Sequence, residues 1–220
     1  MTNKITIRKG QLALLAKEGD YYQVLETGEH RLPWFGKKPD VLVVNRDGSE
    51  VPAGLAEYLR RFQPEWVEKY CLAADLGDNE AGALYLNGML LEILPPATRR
   101  LYWKADDTLT LVRINTDEVS VPADILNAVL QPKRGAAVKG RDAILVVQVP
   151  AWHAGVLKID GETQALLPAG ISGYWKVNHL VEAEVVDLRL QVLEVSGQEI
   201  LTKDKVTLRL NLAANWRYSD

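Results

Sequence analysis

The side chains able to do chemistry are few, and their spacing suits little of it. His30, His153 and His179 lie far apart, and none has a second histidine at the spacing of a helical metal site. Cys71 is the only cysteine, which excludes an intrachain disulfide and a thiolate-rich zinc site. It follows the apolar run Trp66 to Tyr70 and reads as a buried, inert thiol, since its neighbours supply no strong cause of a lowered pKa. Asp106 with Asp107, and Asp75 with Asp78, are paired acids of the kind general acid–base work uses, but loop acids of this sort are normally solvated or cap a helix. The chain carries no G-x-S-x-G, H-E-x-x-H or G-x-x-x-x-G-K-[ST]. The expectation is therefore no enzyme: no catalytic residue, no cofactor and no metal. An unrecognised hydrolase is kept as a third reading, because convergent sites escape motifs.

Three tryptophans, Trp34, Trp103 and Trp175, recur in comparable settings, Trp34 four residues before Lys38 and Trp103 directly before Lys104. Each either covers the open end of a small core or stands as an interface aromatic facing a partner. Repetition favours the core, because every copy of a unit needs one and only one copy need bind.

The 220 residues allow one large domain or two to three small ones. A formal net charge of -3 gives no footprint for nucleic acid. No stretch approaches the roughly 18 to 20 apolar residues of a spanning helix. The first ten residues lack the apolar run of a signal peptide, and Thr2 stands where a myristoylation signal needs glycine. The chain reads as soluble, with any membrane contact peripheral.

An internal repeat positions the rest. Ala81 to Gly88 matches Ala154 to Gly161, and from each closing glycine six residues lead to Leu94-Pro95 and Leu167-Pro168. Tyr102-Trp103-Lys104 and Tyr174-Trp175-Lys176 follow. A degraded first copy runs from Leu14 through Gly19 and Leu25 to Gly28 and Trp34. Gly19, Gly88 and Gly161 are thus equivalent, each a structural turn residue supplying positive φ at a hairpin. The spacing predicts a helix from near Pro52 with Leu55, Tyr58, Leu59 and Phe62 on one stripe. A short turn after Pro64 carries Trp66, Val67 and Tyr70, and a third helix is capped by Ser120 and runs through Leu130. Gln131 to Arg141 reads as a linker. Asp187 to Val195 and Lys205 to Trp216 alternate as two half-buried strands of a hairpin. The fold class is α+β, mostly antiparallel β: three repeated small β-modules with short connecting helices, spanning residues 1–72, 73–134 and 135–220.

The run from Asp187 to Asp220 resembles the start of a stomatin/prohibitin (SPFH, band 7) domain. Asp187-Leu188-Arg189, the step Leu201-Thr202, Asp204, Val206, and the end Trp216-Arg217-Tyr218 carry the resemblance. The upstream modules are similar to the N-terminal extension of some bacterial slipins. Stomatins usually open on a hydrophobic membrane hairpin, which this chain lacks, and their domain continues past the point matched by Asp220, so a truncation is expected.

The resemblance implies a non-catalytic scaffold that organises membrane-associated protein complexes, cytoplasmic and peripheral at the inner face of the membrane. The alternative is a soluble adaptor binding a protein partner through β-edges or aromatic patches. The expected partners are proteins or further copies of the chain, not nucleic acid, with this chain a monomer or weak oligomer.

Overall fold

A computed structural model describes residues 4–32, 38–105 and 108–218. Trp34, Asp106 and Asp107 lie outside the described residues. The fold is α+β and mostly antiparallel β. It divides into two compact units, Met1–Glu118 with Ala123–Ala143, and Val119–Pro122 with Ile144–Asp220.

The first unit opens with β1 (Lys4–Ile7), β2 (Gln11–Lys17), β3 (Asp20–Leu25), β4 (Gly28–Arg31) and β5 (Asp40–Asn45). β1 pairs with β4, while β2 is the centre of a sheet ordered β3-β2-β5. Helices α1 (Ala53–Phe62) and α2 (Pro64–Tyr70) follow, and then β6 (Cys71–Asp75), β7 (Glu80–Leu86), β8 (Met89–Leu94), β9 (Arg99–Trp103) and β10 (Leu109–Asn115). β6 pairs with β9, and β7 is central between β8 and β10. Helix α3 (Ala123–Leu130) completes the unit with two short 3-10 turns.

The second unit holds β11 (Ile144–Val149), β12 (His153–Ile159), β13 (Glu162–Leu167), β14 (Gly170–Trp175) and β15 (Val181–Asp187). β11 pairs with β14, and β12 is central between β13 and β15. One pairing scheme, first strand with fourth and second with third and fifth, therefore occurs three times. Its register also recurs: Ala13 faces Leu25, Gly82 faces Leu94 and Gly155 faces Leu167. A bulge leaves Tyr22, Leu91 and Gln164 unpaired at equivalent places.

Chain chemistry explains the scheme. Glu18-Gly19, Asn87-Gly88 and Asp160-Gly161 each have two successive positive φ angles, the backbone of a type I′ hairpin turn. Side chains then alternate across each sheet. Ile7, Ala13, Leu15 and Leu25 form the inner core of the first set, Leu84, Leu94, Tyr102 and Leu109 lie in that of the second, and Val147, Val149, Leu157, Leu167 and Val181 form that of the third.

Five expectations are corrected, the last of them in the closing ribbon. Phe62 lies outside the buried stripe of α1, exposed at 56%. Helix α3 starts at Ala123, and Ser120 sits outside it in an antiparallel bridge with Tyr174, because the Val121 N–H is taken by the Gly173 carbonyl. Residues 131–141 are no free linker: Lys139 donates to the Leu91 carbonyl and accepts from Ile93 on the edge of β8. The strand expected from Asp187 to Val195 breaks at Leu188, where Asp187 turns its carboxylate onto the Arg189 N–H.

β16 (Gln191–Leu201) and β17 (Thr207–Trp216) form a two-stranded ribbon. Leu208, Leu210 and Leu212 share one face with Ile200 and Val195, and Arg209 faces Glu199 on the other. The alternation is as the sequence implies, but no residue of the ribbon is buried, so the expectation of half-buried strands is corrected. Gly197 (φ 73) lies in a bulge within β16, its N–H donating to Asn211 Oδ1, and the turn falls at 202–206.

Candidate interaction surface

Three clusters of titratable groups merit a chemical test. Glu92, at the bulge of the second set, accepts from Arg100 (3.0 Å) and from the Tyr102 hydroxyl (3.2 Å). Burial pushes the Tyr102 phenol up to about 12. Glu26 accepts from Lys69 (2.8 Å) and from the Tyr70 hydroxyl (2.7 Å), which hold its carboxyl below the usual range. Lys69 is raised chiefly by its bond to Glu26, and Tyr70 is raised by burial. At Asp187, three bonds from the Arg189 guanidinium and one from the Arg189 N–H hold the carboxyl well below its ordinary value. Every resolved shift in these clusters fixes the group in its resting charge state at neutral pH, the reverse of what a proton shuttle needs. The clusters can join strands and helices; they are poorly built to move protons.

The histidines are held apart. His30 Nε2 donates to the Glu26 carbonyl, His153 Nδ1 to the Ala151 carbonyl, and His179 Nδ1 to Asp160 Oδ2 at 2.7 Å. Among the described residues no three His, Cys, Asp or Glu converge on a metal position. Cys71 is buried in the cluster with Tyr70, Leu101 and Trp103, and burial raises its thiol to about 11. Asp75 takes both oxygens to Arg60, at 2.7 and 2.6 Å, a link between β6 and α1.

Two of the three tryptophans follow the core reading. Trp103 and Trp175 are 3% and 2% exposed, so neither faces a partner in this structure, and Trp34 lies outside the described residues. Among the described residues the most exposed indole is Trp152, 76% exposed, in the turn before β12 with φ 64. Its carbonyl accepts the Leu188 N–H, which ties the turn to the break after β15. Nothing in the repeat marks it: the sequence signal was a lone aromatic between Pro150 and His153. Gly19, Gly88 and Gly161 occupy the three hairpin turns, and a Cβ at any of them would meet nothing within 4 Å.

What remains open on the second unit is apolar. Ala154, Val156, Leu166, Val186 and Leu188, with Arg217 and Tyr218, line a groove of about 540 Å³ on the outer face of the β13-β12-β15 sheet. The exposed apolar face of the β16–β17 ribbon is the second such area, with Trp216 and Tyr218 stacked edge to face at 5.3 Å. Contiguous apolar surface of this sort marks an interaction site. No helix among the described residues is long and apolar enough to cross a membrane.

No curated protein matches the chain, and no solved structure does. Residues 147–220, which contain Trp152, the groove, the Asp187–Arg189 break and the ribbon, match the family described as SPFH domain / Band 7 family, so the last third of the chain carries an SPFH (Band 7) segment.

Proposed function

We propose that the chain is a non-catalytic scaffold of the stomatin/slipin kind, built on three copies of one β-module (1–72, 73–134 and 135–220), that organises protein complexes peripherally at the inner, cytoplasmic face of a membrane. The observation that carries this reading is the SPFH (Band 7) match over 147–220. The exposed ribbon and Trp152 support it, since both offer apolar surface to a partner or to the headgroup region. The titratable clusters support the non-catalytic part, because their shifts lead away from neutrality.

Flotation with vesicles containing anionic lipid, alongside sedimentation equilibrium, tests the reading. Partial partition with a monomer or small-oligomer mass is expected. A chain that neither partitions nor self-associates, or that turns over generic ester or phosphate substrates, would sink it. A soluble adaptor is the second reading, favoured by the groove on β13-β12-β15, and it predicts partner binding without vesicle partition.

A further inference from the structure

The first two pairing sets each have a helix after the fifth strand, laid by the outer face of the three-stranded sheet. In the first, Leu12, Leu14, Val24 and Val44 of the sheet join one cluster with Leu59 of α1 and Trp66 of α2. In the second, the equivalent Ala81, Ala83 and Ile93 are buried, as are Ile125 and Val129 of α3. There Asp124, in the first turn of α3, borders one cleft with Ala128, Tyr85 and Leu90, and burial, helped by its charge, raises the Tyr85 phenol. After β15 the chain passes straight to β16 with no helix between. The equivalent face of the third set, Ala154, Val156 and Leu166 with Val186, is the floor of the open groove, and Leu166 is 69% exposed.

Charge narrows what fits. Arg217 borders the groove and, among the described residues, makes no hydrogen bond or ion pair. Lys158 occupies the position that Tyr85 holds in the second set and shares Glu184 at 3.0 Å. Arg217 thus borders an apolar floor whose counterpart in the second set lies beside Asp124 of the helix. Among the described residues, α1 and α3 already bury Leu59, Ile125 and Val129 and so are not free to dock on a second copy. A flat bilayer surface would not enter a groove walled by Leu188 and Tyr218.

We propose that this open face of the third module is a docking site for an amphipathic helix of a protein partner, apolar toward Ala154, Val156 and Leu166 and acidic on the flank that meets Arg217. The inference deepens the scaffold reading, on which it rests for its setting, by naming the class of partner. It is read by binding rather than by mass or membrane partition, so either can fail alone.

The test titrates the full chain with a helix-stapled peptide of the α3 sequence, residues 122–131, which has Asp124 on one flank of an apolar stripe. Saturable one-to-one binding is expected, with amide shifts at Val156, Leu166 and Val186. Leu166→Asp should weaken it by about tenfold or more. Arg217→Glu should weaken it too, and the same peptide with Asp124→Lys should recover part of that loss. Both substitutions are at exposed side chains, so an unchanged melting temperature accompanies them. Absence of saturable binding, equal affinity for the Leu166→Asp chain, shifts confined to other surfaces, or no recovery by the swapped charge would each overturn the proposal.

Discussion

Gly140 stands against the carbonyl oxygen of Ile93, where a Cβ would lie 2.1 Å from that oxygen. This approach lets Lys139 exchange two backbone bonds with Leu91 and Ile93 and close the edge of β8. Gly140→Ala should therefore cost about 2 kcal/mol or more, since backbone must move and the φ of +70 adds strain. Gly161→Val meets open space, so its cost is only the strain of a β-branched residue at φ +85, on the order of 1 kcal/mol or more. Chemical denaturation of the two variants measures the difference. Equal losses would mean that the 139–140 segment does not hold the edge in solution.

The contrast also shows what the sequence displays and what it hides. Hairpin turns such as Asn87-Gly88 are legible because two adjacent residues decide them, and a fixed distance from glycine to leucine betrays the repeat. Residues 131–141 have no periodicity, so their pairing with β8 is invisible until the sheet exists. Trp103 and Trp175 announce a repeat but not which way they face; their burial is set by the strands that enclose them. The alternation in β17 says that one face is apolar, not whether anything covers it. Ser120 has the chemistry of a helix cap, yet its strand-like bridge to Tyr174 comes from residues more than fifty positions away.

Cys71 supplies an alkaline signature. Burial raises its thiol from 9.0 to about 11, with Lys104 and Arg60 opposing the rise. A group whose folded pKa is raised contributes stability below the unfolded value and loses it as pH climbs through the folded one. The chain should lose on the order of 2 kcal/mol between pH 9 and 11 that a Cys71→Ala chain keeps. Native protein should also resist iodoacetamide at neutral pH. Rapid native labelling would show the thiol exposed.

Asp187 supplies the acid counterpart. Its carboxyl is lowered first by the Arg189 guanidinium and then by the Arg189 N–H. A depressed carboxylate contributes above its unfolded pKa and loses that contribution as pH falls through the folded value. The break between β15 and β16 should hold through the ordinary carboxylate range and open only at lower pH. Slow hydrogen exchange at the Arg189 amide would report it, and Asp187→Asn should remove the pH dependence. A carboxyl titrating by NMR near its ordinary 3.8 would show that the pair does not form.

Trp152 trades conformation for surface. A bulky residue at φ 64 carries about 1 kcal/mol of backbone strain, and its side chain buries little. Trp152→Gly relieves the strain while adding unfolded-state entropy of about the same size, so stability should stay within about 1 kcal/mol of the parent. Vesicle partition should fall in the same variant. A large stability loss would mean that the indole packs against the fold; unchanged partition would remove Trp152 from the membrane reading.

The ribbon decides the assembly state. Leu208, Leu210 and Leu212 on β17 and Ile200 on β16 lie exposed on one face, so this chain has a surface on which copies can meet. Arg209 on β17, with Lys205 in the turn before it and Arg217 just after it, places positive charge along this edge, and charge on an edge discourages strand-to-strand growth. The face invites contact while the edge resists it, which favours weak and finite association over a lattice. Sedimentation equilibrium at micromolar concentration should find monomer in exchange with small oligomers. Leu210→Lys, at an exposed site, should shift the balance to monomer and leave the melting temperature unchanged. A discrete large ring from this chain would show instead that the β-modules drive assembly, and that ring would survive the Leu210 substitution if the module faces rather than the ribbon build it.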